Sequence, residues 1–332
     1  MVSWGRSQVF LPLFLLTATV KCLSSLWKDE SIKIVYLGDP VLSPLGALLK
    51  ALFDIPVVVT VHGRDIVFSN RLYQYLLPKF LARMDRIVCV SEEIKRQCLN
   101  RGLAQDLCVV IPNGIDVEDF AVGVSDAAVQ AVESKAGIQL RDRTVLLSVG
   151  RLVEKKGIPY FVTNVLPKIL EKRQDLCYVI VGDGPQRGHI VNLVKKEGLE
   201  DHVRLLGSMP MDSRLLVAAY ALADIFVMPN VPTKEDTEGF GVVILEAWAA
   251  GACVVASRVD GLKYLINDGQ DGLLIDPYDS DGFARGIVSL LEDDGLRKEL
   301  QTRANRRVKS SYSWRVVART YAELFGQLTQ ER

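Results

Sequence analysis

The chain has 332 residues, which is long enough for two domains of ordinary size. Hydrophobic residues make up 49% of the sequence and charged residues 24%, which are the proportions of a folded globular protein. The 40 Lys and Arg residues balance the 40 Asp and Glu residues, and a net charge of zero argues against nucleic acid as a partner, because nucleic-acid binding usually needs a basic surface.

The six cysteines show no Cys-x-x-Cys pair and no spacing typical of a metal site. Several of them lie in apolar, strand-like runs, where cysteine behaves as a small hydrophobic residue. We therefore expect a protein of the reducing cytoplasm that has no disulfide framework. The cysteines are Cys22, Cys89, Cys98, Cys108, Cys177 and Cys253.

The first apolar segment, residues 9–20, is 12 residues long and contains Pro12. It is too short to span a bilayer as a helix. The core of a signal peptide is an alternative because Arg6 precedes the segment, but no small-x-small cleavage site follows it. We expect a packed helix that leads into the first strand.

Strand and helix patterns alternate through the first third of the chain. Continuous apolar runs separated by helical patterns indicate a parallel sheet that is covered on both faces. Ligands of such sheets bind beyond the carboxyl ends of the strands, where His62, Ser91 and Asn113 lie. The predicted strands are residues 32–37, 57–61, 87–90 and 108–111, and a helix is predicted over 44–53.

A second series of strands begins after the polar stretch 116–142, where we place the domain boundary. A final helix is predicted over 313–328 from its apolar residues at helical spacing. The sequence thus predicts two Rossmann-like parallel α/β domains, residues 1–125 and 126–312, followed by the C-terminal helix 313–332. The strands of the second domain are predicted over 145–149, 177–181, 203–206, 225–228, 253–256 and 272–275.

The stretch 237–257 holds two glutamates, Glu238 and Glu246, with seven residues between them. The glycine-rich loop Gly239-Phe240-Gly241 lets the backbone approach a ligand, and the helix that follows offers free N–H groups to an anion. Carboxylates on either side can accept hydrogen bonds from hydroxyl groups, so a sugar nucleotide would fit. The alternative is a buried helix with two solvated glutamates, which is disfavoured because an unpaired carboxylate among apolar residues is costly.

Arg151 and Lys156 follow the strand 145–149 and are flanked by Gly150 and Gly157. Two cations on a flexible backbone at the end of a strand are suited to a diphosphate. The alternative is an ordinary surface loop with salt bridges.

Gly182 and Gly184, with Gly188, resemble a dinucleotide-binding fingerprint. The spacing departs from that motif, and no acidic residue follows the next strand, so an NAD-dependent oxidoreductase is the weaker alternative. His62 follows the strand 57–61 and could bind a sugar hydroxyl, although a structural histidine at the end of a strand is an equal alternative.

The segments TEGFGVVILEAWAAG, GRLVEKKG and GDGP closely resemble those of the retaining glycosyltransferases of family 4, which have the GT-B fold. The resemblance runs from Ile34 to the last helix. It implies two domains that face each other across a cleft, with the last helix, after the segment SYSW, packing back toward the first domain. Family members usually begin with further strand–helix units, so we expect the first domain to lack the first strands of the family.

The resemblance also implies roles for the candidate residues in donor binding and catalysis. Arg151 and Lys156, with Lys155 as the less likely second cation, would hold the donor diphosphate and stabilise its leaving charge. The turn with Gly182 and Gly184 would lie near the nucleotide, and His62 would contact the transferred sugar from the other domain.

For the Glu-x7-Glu stretch, the resemblance assigns Glu246 to the ribose diol. Glu238, with the backbone N–H groups of Phe240 and Gly241 after Gly239, would position the sugar. The implied activity is the transfer of a hexose from a nucleotide diphosphate sugar to an acceptor hydroxyl, with retention and without a metal or other cofactor.

The implied acceptor is a carbohydrate, a lipid-linked molecule or a small molecule, as in polysaccharide or glycolipid biosynthesis. Two alternatives stay open: a homologue that binds the donor but is inactive, and a sugar-nucleotide epimerase of the GT-B fold.

The segment 71–86 combines apolar residues with four cations and contains Pro78. Peripheral contact of this segment with the inner face of the membrane is a hypothesis, and a helix packed on the sheet is the commoner explanation.

Overall fold

The computed structural model describes residues 4–68, 70–121, 123–210, 213–233 and 238–330. Contacts divide the chain into two compact units, one formed by Met1–Pro112 with Ala318–Arg332 and the other by Asn113–Val317. Each unit holds one sheet, of four and six strands within the described residues, and every pair of neighbouring strands is parallel. The prediction of two parallel α/β domains is therefore confirmed.

The sheet of the first unit has the strand order β1-β2-β3-β4. All five residues of β2 are buried, as expected for an apolar strand covered on both faces. The first strand is shorter than the predicted 32–37, because only its last three residues pair with β2. The strands are β1 (Val35–Leu37), β2 (Val57–Val61), β3 (Arg86–Cys89) and β4 (Cys108–Val110).

Five α-helices lie within the described residues of the segment 4–112. The helix predicted around Pro78 continues through the proline and ends at Leu81, so Pro78 does not break it. No described helix combines the length and the apolar character needed to cross a membrane. The helices are α1 (Trp4–Lys28), α2 (Ser43–Phe53), α3 (Arg64–Val67), α4 (Arg71–Leu81) and α5 (Glu92–Leu99).

The sheet of the second unit has the strand order β10-β9-β8-β5-β6-β7. Strand β5 lies between β6, which is next in sequence, and β8, so the direction of winding reverses at β5 and β8. The strands are β5 (Thr144–Val149), β6 (Leu176–Val181), β7 (Val203–Gly207), β8 (Ile225–Met228), β9 (Cys253–Ser257) and β10 (Leu273–Ile275).

The helices of this unit cover the sheet with apolar side chains, and a buried cluster around Phe161, Tyr178 and Phe283 forms part of the core. A π-helical stretch, Phe161–Val165, joins the third and fourth of the helices listed below. In chain order the helices are α6 (Val117–Ala121), α7 (Asp126–Ala136), α8 (Ile158–Tyr160), α9 (Leu166–Leu170), α10 (Arg187–Lys196), α11 (Arg214–Ala221), α12 (Val242–Ala250), α13 (Leu262–Leu265), α14 (Ser280–Glu292) and α15 (Asp294–Ser311).

The segment from Asn113 to residue 125 belongs to the second unit, whereas the sequence placed it in the first domain. The rings of Phe120 and Tyr220 are 5.7 Å apart, and the N–H of Ile115 donates to the carbonyl of Tyr312 over 2.9 Å. These contacts are made with residues far along the chain. The polarity of the segment indicated a domain boundary but did not reveal these contacts.

The last helix, α16 (Trp314–Gln330), starts in the second unit and continues into the first. Its first residue packs beside Gly114 of the second unit. In the first unit, the hydroxyl of Tyr321 lies 3.1 Å from that of Thr60, and its ring centroid is 5.6 Å from that of Tyr36.

Candidate donor site

The reversal of strand order in the second unit creates a recess beyond the carboxyl ends of β5 and β8. In open parallel sheets, ligands bind at such a switch point, because the loops of the two adjacent strands separate there. The recess is lined by Ser148, Val149, Gly150, Arg151, Leu152, Lys156, Ile158, Ile180, Val181, Val227, Met228, Pro229 and Asn230. Two predicted donor-binding residues, Arg151 and Lys156, are therefore part of its wall.

The loops after β5 and β6 touch backbone to backbone. The N–H of Leu152 donates to the carbonyl of Asp183 over 2.9 Å, and the N–H of Gly150 donates to the carbonyl of Val181 over 3.0 Å. A Cβ on Gly182 would lie 1.8 Å from the carbonyl oxygen of Gly150. Glycine at position 182 is therefore required by this close approach of the two loops, whatever it binds.

Gly184 lies in the same contact between the loops. A Cβ at this position would come within 2.4 Å of the carbonyl oxygen of Leu152. The predicted role of Gly182 and Gly184 near the nucleotide stays a prediction, and the structure adds a packing role for both.

Lys156 and Glu238 form an ion pair at this edge of the sheet. Lys156 closes the short 3-10 turn Glu154–Lys156, and its Nζ lies 2.5 Å from Oε2 of Glu238. The side chains are 15% and 14% exposed. The amide of Asn230, at the end of β8, donates to the same carboxylate oxygen over 3.2 Å.

The position of Lys156 depends on Gly157, which follows it with a φ of 63°. A Cβ on Gly157 would lie 1.9 Å from the carbonyl oxygen of Pro229, so only glycine lets the turn lie against the end of β8. The N–H of Val231 donates to the carbonyl of Lys155 over 2.9 Å and secures the same contact. The turn is therefore fixed to the neighbouring strand.

Burial alone would raise the pKa of Glu238, but its pKa is lowered. The charge of Lys156, followed by that of Lys155 and by hydrogen bonds from Lys156 and Asn230, outweighs the cost of burial. Glu238 is therefore a carboxylate at neutral pH.

Both backbone groups of Glu238, the N–H and the carbonyl, form hydrogen bonds. The N–H of Glu238 donates to Oδ2 of Asp260 over 3.0 Å, and its carbonyl accepts from the N–H of Gly261 over 3.0 Å. Phe240 is buried, and Gly241, with a φ of 88°, begins helix α12. Within the described residues no group accepts from the N–H of Phe240 or Gly241, so both could serve a ligand. Thr237, the first residue of the motif, lies outside the described residues.

Glu246 lies little more than one turn into α12, and it is 4% exposed. Its Oε2 accepts a hydrogen bond from the hydroxyl of Tyr220 on α11 over 2.5 Å. Burial raises the pKa of Glu246, and the hydrogen bond from Tyr220 lowers it by less. The expectation that Glu246 accepts from a pair of hydroxyls stays a prediction, and in this structure Tyr220 already supplies one hydroxyl.

The remaining predicted residues take no part in this ion pair. Arg151 is exposed at the mouth of the recess, and among the described residues no carboxylate pairs with it. His62 belongs to the first unit, where its Nε2 lies 3.0 Å from the carbonyl of Gly38. A carbonyl only accepts, so Nε2–H is the donor in this hydrogen bond.

Three residues that hold the two glutamates were not predicted from the sequence. Asn230 and Tyr220 bind their carboxylates, and Asp260 binds the backbone of Glu238. Asn230 directly follows Pro229 at the end of a predicted strand, and the rule that singled out His62 could have found it. No local signal pointed to Tyr220 or Asp260, whose roles depend on the packing of distant segments.

The two glutamates should shift the pH dependence of stability in opposite directions. The folded-state pKa of Glu246 is raised, so its contribution to the free energy of unfolding is fully present below its unfolded pKa of about 4.3 and is lost as the pH rises through the folded value. The substitution Glu246→Gln should therefore gain stability relative to the unsubstituted protein as the pH rises above about 4.3. Urea unfolding at several pH values measures this difference.

Glu238→Gln is the matched substitution with the opposite sign. The folded-state pKa of Glu238 is lowered, so its contribution is present above its unfolded pKa of about 4.3 and is lost as the pH falls through the folded value. This variant should be less stable than the unsubstituted protein at neutral pH, and the deficit should shrink as the pH is lowered. Parallel pH profiles for the two variants would contradict the environments described above.

Two family models match the chain. One, described as Glycosyltransferase Family 4, matches residues 6–119, and one, described as Glycosyl transferases group 1, matches residues 143–293. An uncharacterized glycosyltransferase of Methanocaldococcus jannaschii is 30% identical over 89% of this chain and 75% of its own length. The phosphatidyl-myo-inositol mannosyltransferase of Mycolicibacterium smegmatis is 32% identical over 87% of this chain and 70% of its own length.

Solved structures match the chain closely in fold. A glycosyltransferase from Rickettsia africae has a TM-score of 0.80 at 20% identity, covering 97% of this chain and 83% of its own. Anabaena HepE in complex with UDP-glucose has a TM-score of 0.76 at 20% identity, covering 96% and 82%. The two parallel sheets and these matches define the GT-B fold. The chain belongs to glycosyltransferase family 4.

Proposed function

We propose that this protein transfers a hexose from a nucleotide diphosphate sugar to an acceptor hydroxyl, with retention of configuration and without a metal. The observation that carries the proposal is the position of Lys156, paired with Glu238 at the switch point between β5 and β8. A cation and a carboxylate at this place suit a ligand that joins a diphosphate to a polyol.

The diphosphate would bind Lys156 and Arg151. Lys156 is held in place by Glu238 before the donor arrives, so little reorganisation is needed when negative charge develops on the leaving group. Arg151, exposed at the mouth of the recess, can add a bidentate contact to phosphate oxygens.

Glu238 would then turn from a partner of Lys156 into an acceptor for hydroxyls of the sugar. Its backbone is fixed by Asp260 and Gly261, so the carboxylate stays close to its position when the diphosphate competes for Lys156. The N–H groups of Phe240 and Gly241, at the positive end of α12, would support the same sugar. Glu246 would hold the ribose, and His62 would accept from a sugar hydroxyl.

The relatives suggest which donors and acceptors to test first. Solved relatives in fold bind UDP and UDP-glucose, and relatives in sequence are named for phosphatidyl-myo-inositol and for D-inositol 3-phosphate. We infer a phosphoinositol-type acceptor as the first class to screen, in the cytoplasm or at the inner face of the membrane. A lipid-linked acceptor would require peripheral contact with that surface.

Thermal stabilisation by UDP-glucose, UDP-N-acetylglucosamine, UDP-galactose and GDP-mannose tests donor binding. A donor at ~100 times its dissociation constant should add about 2.7 kcal/mol to the free energy of unfolding. The shift should occur with one nucleotide base, persist in EDTA, and be lost in Arg151→Ala and Glu246→Ala. Lys195→Ala, at an exposed position of α10, is the control that should keep it.

The alternatives give different results in the same assay. An inactive homologue would show the thermal shift but no transfer to any acceptor. An epimerase would convert the donor when no acceptor is present. No shift with any donor, in a protein that unfolds cooperatively, would remove the transferase proposal.

A further inference from the structure

Three buried cysteines converge in the first unit, while Arg151, Lys156 and Glu238 belong to the second. The Sγ atoms of Cys89, Cys98 and Cys108 all lie within 4.8 Å of one another. The cysteines are separated by eight and nine residues, and this spacing matched no metal motif. The fold brings them together, and their chemistry has no part in the proposed transfer reaction.

The cysteines are contributed by three different elements. Cys89 ends β3, Cys108 begins the neighbouring strand β4, and Cys98 lies on α5, which connects the two strands. They are 0%, 2% and 0% exposed, in that order. Because separate elements fix the three sulfurs, the cluster exists before any ligand arrives.

The distances between the sulfurs suit a single central atom. The Sγ atoms of Cys89 and Cys98 are 3.9 Å apart. An atom with bonds to sulfur of about 2.3 Å, as in a Zn–S bond, holds its sulfur ligands roughly 3.5–4 Å from each other. Small side-chain rotations would therefore be enough to place all three sulfurs on one centre.

The number of ligands and the burial restrict what that centre can be. Among the described residues, no histidine, aspartate or glutamate joins the three cysteines. Structural zinc almost always takes four protein ligands, so three thiolates leave it incomplete. Three thiolates on zinc or on monovalent copper would also bury a net negative charge, which is costly.

Nearby charges do not offset the negative charge of such a complex. Asp65 and Arg101 act electrostatically on Cys98, and Lys95 and Asp106 act on Cys108. The surroundings thus combine two cations with two carboxylates and provide no surplus of positive charge. A neutral complex with three sulfur ligands fits this cluster best.

We propose that Cys89, Cys98 and Cys108 form a three-thiol site for a trivalent thiol-binding element, with arsenous acid as the representative ligand. Three S–H and three As–OH bonds break, three As–S bonds form, and three water molecules leave. No electrons are transferred, and the product is neutral. The bound atom links β3, α5 and β4.

Entry requires local opening, because all three thiols are buried. At high arsenite concentration, the rate of binding should therefore reach a plateau set by the opening of this region. The linked elements should then resist unfolding, and the melting temperature should rise.

Arsenite added to the full-length protein, with a phosphine to keep the thiols reduced, tests the proposal. X-ray absorption at the arsenic edge should count three sulfur neighbours and no oxygen, and native mass spectrometry should show one arsenic per chain. Two sulfur neighbours with one oxygen, or no bound arsenic, would overturn the proposal. Zinc and monovalent copper, tested separately, should bind more weakly, and tighter binding of either would overturn the choice of a neutral centre.

Single Cys→Ala substitutions at positions 89, 98 and 108 should each lower arsenite affinity at least a hundredfold. The matched control is the double variant Cys177→Ala/Cys253→Ala, which removes two equally buried thiols of the second unit and should bind as the unsubstituted protein does. Loss of binding in this control would refute the assignment. If a cluster variant fails to fold, the sulfur count on the unsubstituted protein still decides the question.

Discussion

Replacing Lys156 with methionine should lower turnover about 10²–10³-fold, the usual cost of removing one preorganised group that stabilises developing charge. Methionine keeps much of the length and apolar volume of the lysine stem but removes the charge beside Glu238. Affinity for UDP or for the active sugar nucleotide should fall roughly 10–100-fold, because a hydrogen bond to a charged group contributes about 1.5–3 kcal/mol. Calorimetry and initial rates measure the two effects.

The same substitution leaves Glu238 without its closest cation. The pair is 14–15% exposed, so the loss of stability should be about 1–3 kcal/mol, below the ~3–5 kcal/mol of a fully buried pair. Partial unfolding of the variant could then account for some of its loss of activity. The double variant Lys156→Met/Glu238→Gln separates the two effects, since it removes the unpaired charge and should recover stability without recovering activity.

Lys155→Met is the matched control for the choice between the two lysines. Lys155 also acts on Glu238 electrostatically, but the hydrogen-bonded contact to the carboxylate is made by Lys156. Donor affinity should therefore fall less in Lys155→Met than in Lys156→Met. A larger loss at Lys155 would reverse the assignment of the diphosphate-binding cation.

The strands could be predicted from the sequence because each is a short apolar run followed by a glycine, a proline or a polar residue. The strands 57–61 and 225–228 were predicted to the residue. Periodicity does not give strand order, so the position of β5 between β6 and β8 had to come from the structure. That order brings the segment with Arg151 and Lys156 beside Asn230.

The partners of charged groups were harder to predict than the groups themselves. A carboxylate within VVILEAWAA is costly to bury without a partner, and Glu246 does have one. The partner, Tyr220, lies 26 residues earlier on another helix, and the sequence contains no signal of that contact. The three-cysteine cluster was missed for the same reason, because Cys89, Cys98 and Cys108 converge only through the packing of β3, α5 and β4.

Replacing Gly182 with alanine should destabilise the second unit by roughly 3–5 kcal/mol, which is the range of severe single substitutions. The backbone at Gly182 has a φ of 145°, a region that residues other than glycine enter at a cost of about 1–3 kcal/mol. The new Cβ would also lie 1.8 Å from the carbonyl oxygen of Gly150. Urea unfolding, with hydrogen exchange followed at β5 and β6, measures the loss.

The chain cannot easily move to relieve this contact. The N–H of Gly182 donates to the carbonyl of Gly207 over 2.8 Å, and the N–H of Gly150 donates to the carbonyl of Val181 over 3.0 Å. A shift of either loop would therefore break one of these backbone hydrogen bonds at the carboxyl ends of the strands. Any displacement would also move Arg151, which follows Gly150 directly. Donor affinity should therefore fall together with stability.

Gly188→Ala is the control from the same connection between β6 and α10. A Cβ at Gly188 meets nothing within 4 Å, and the residue lies in the first turn of α10. Alanine there should leave donor binding unchanged and should stabilise the helix by up to about 1 kcal/mol. If Gly182→Ala were as stable as Gly188→Ala, the loops after β5 and β6 could not be held together as described. The fixed position of Arg151 at the recess would then need another explanation.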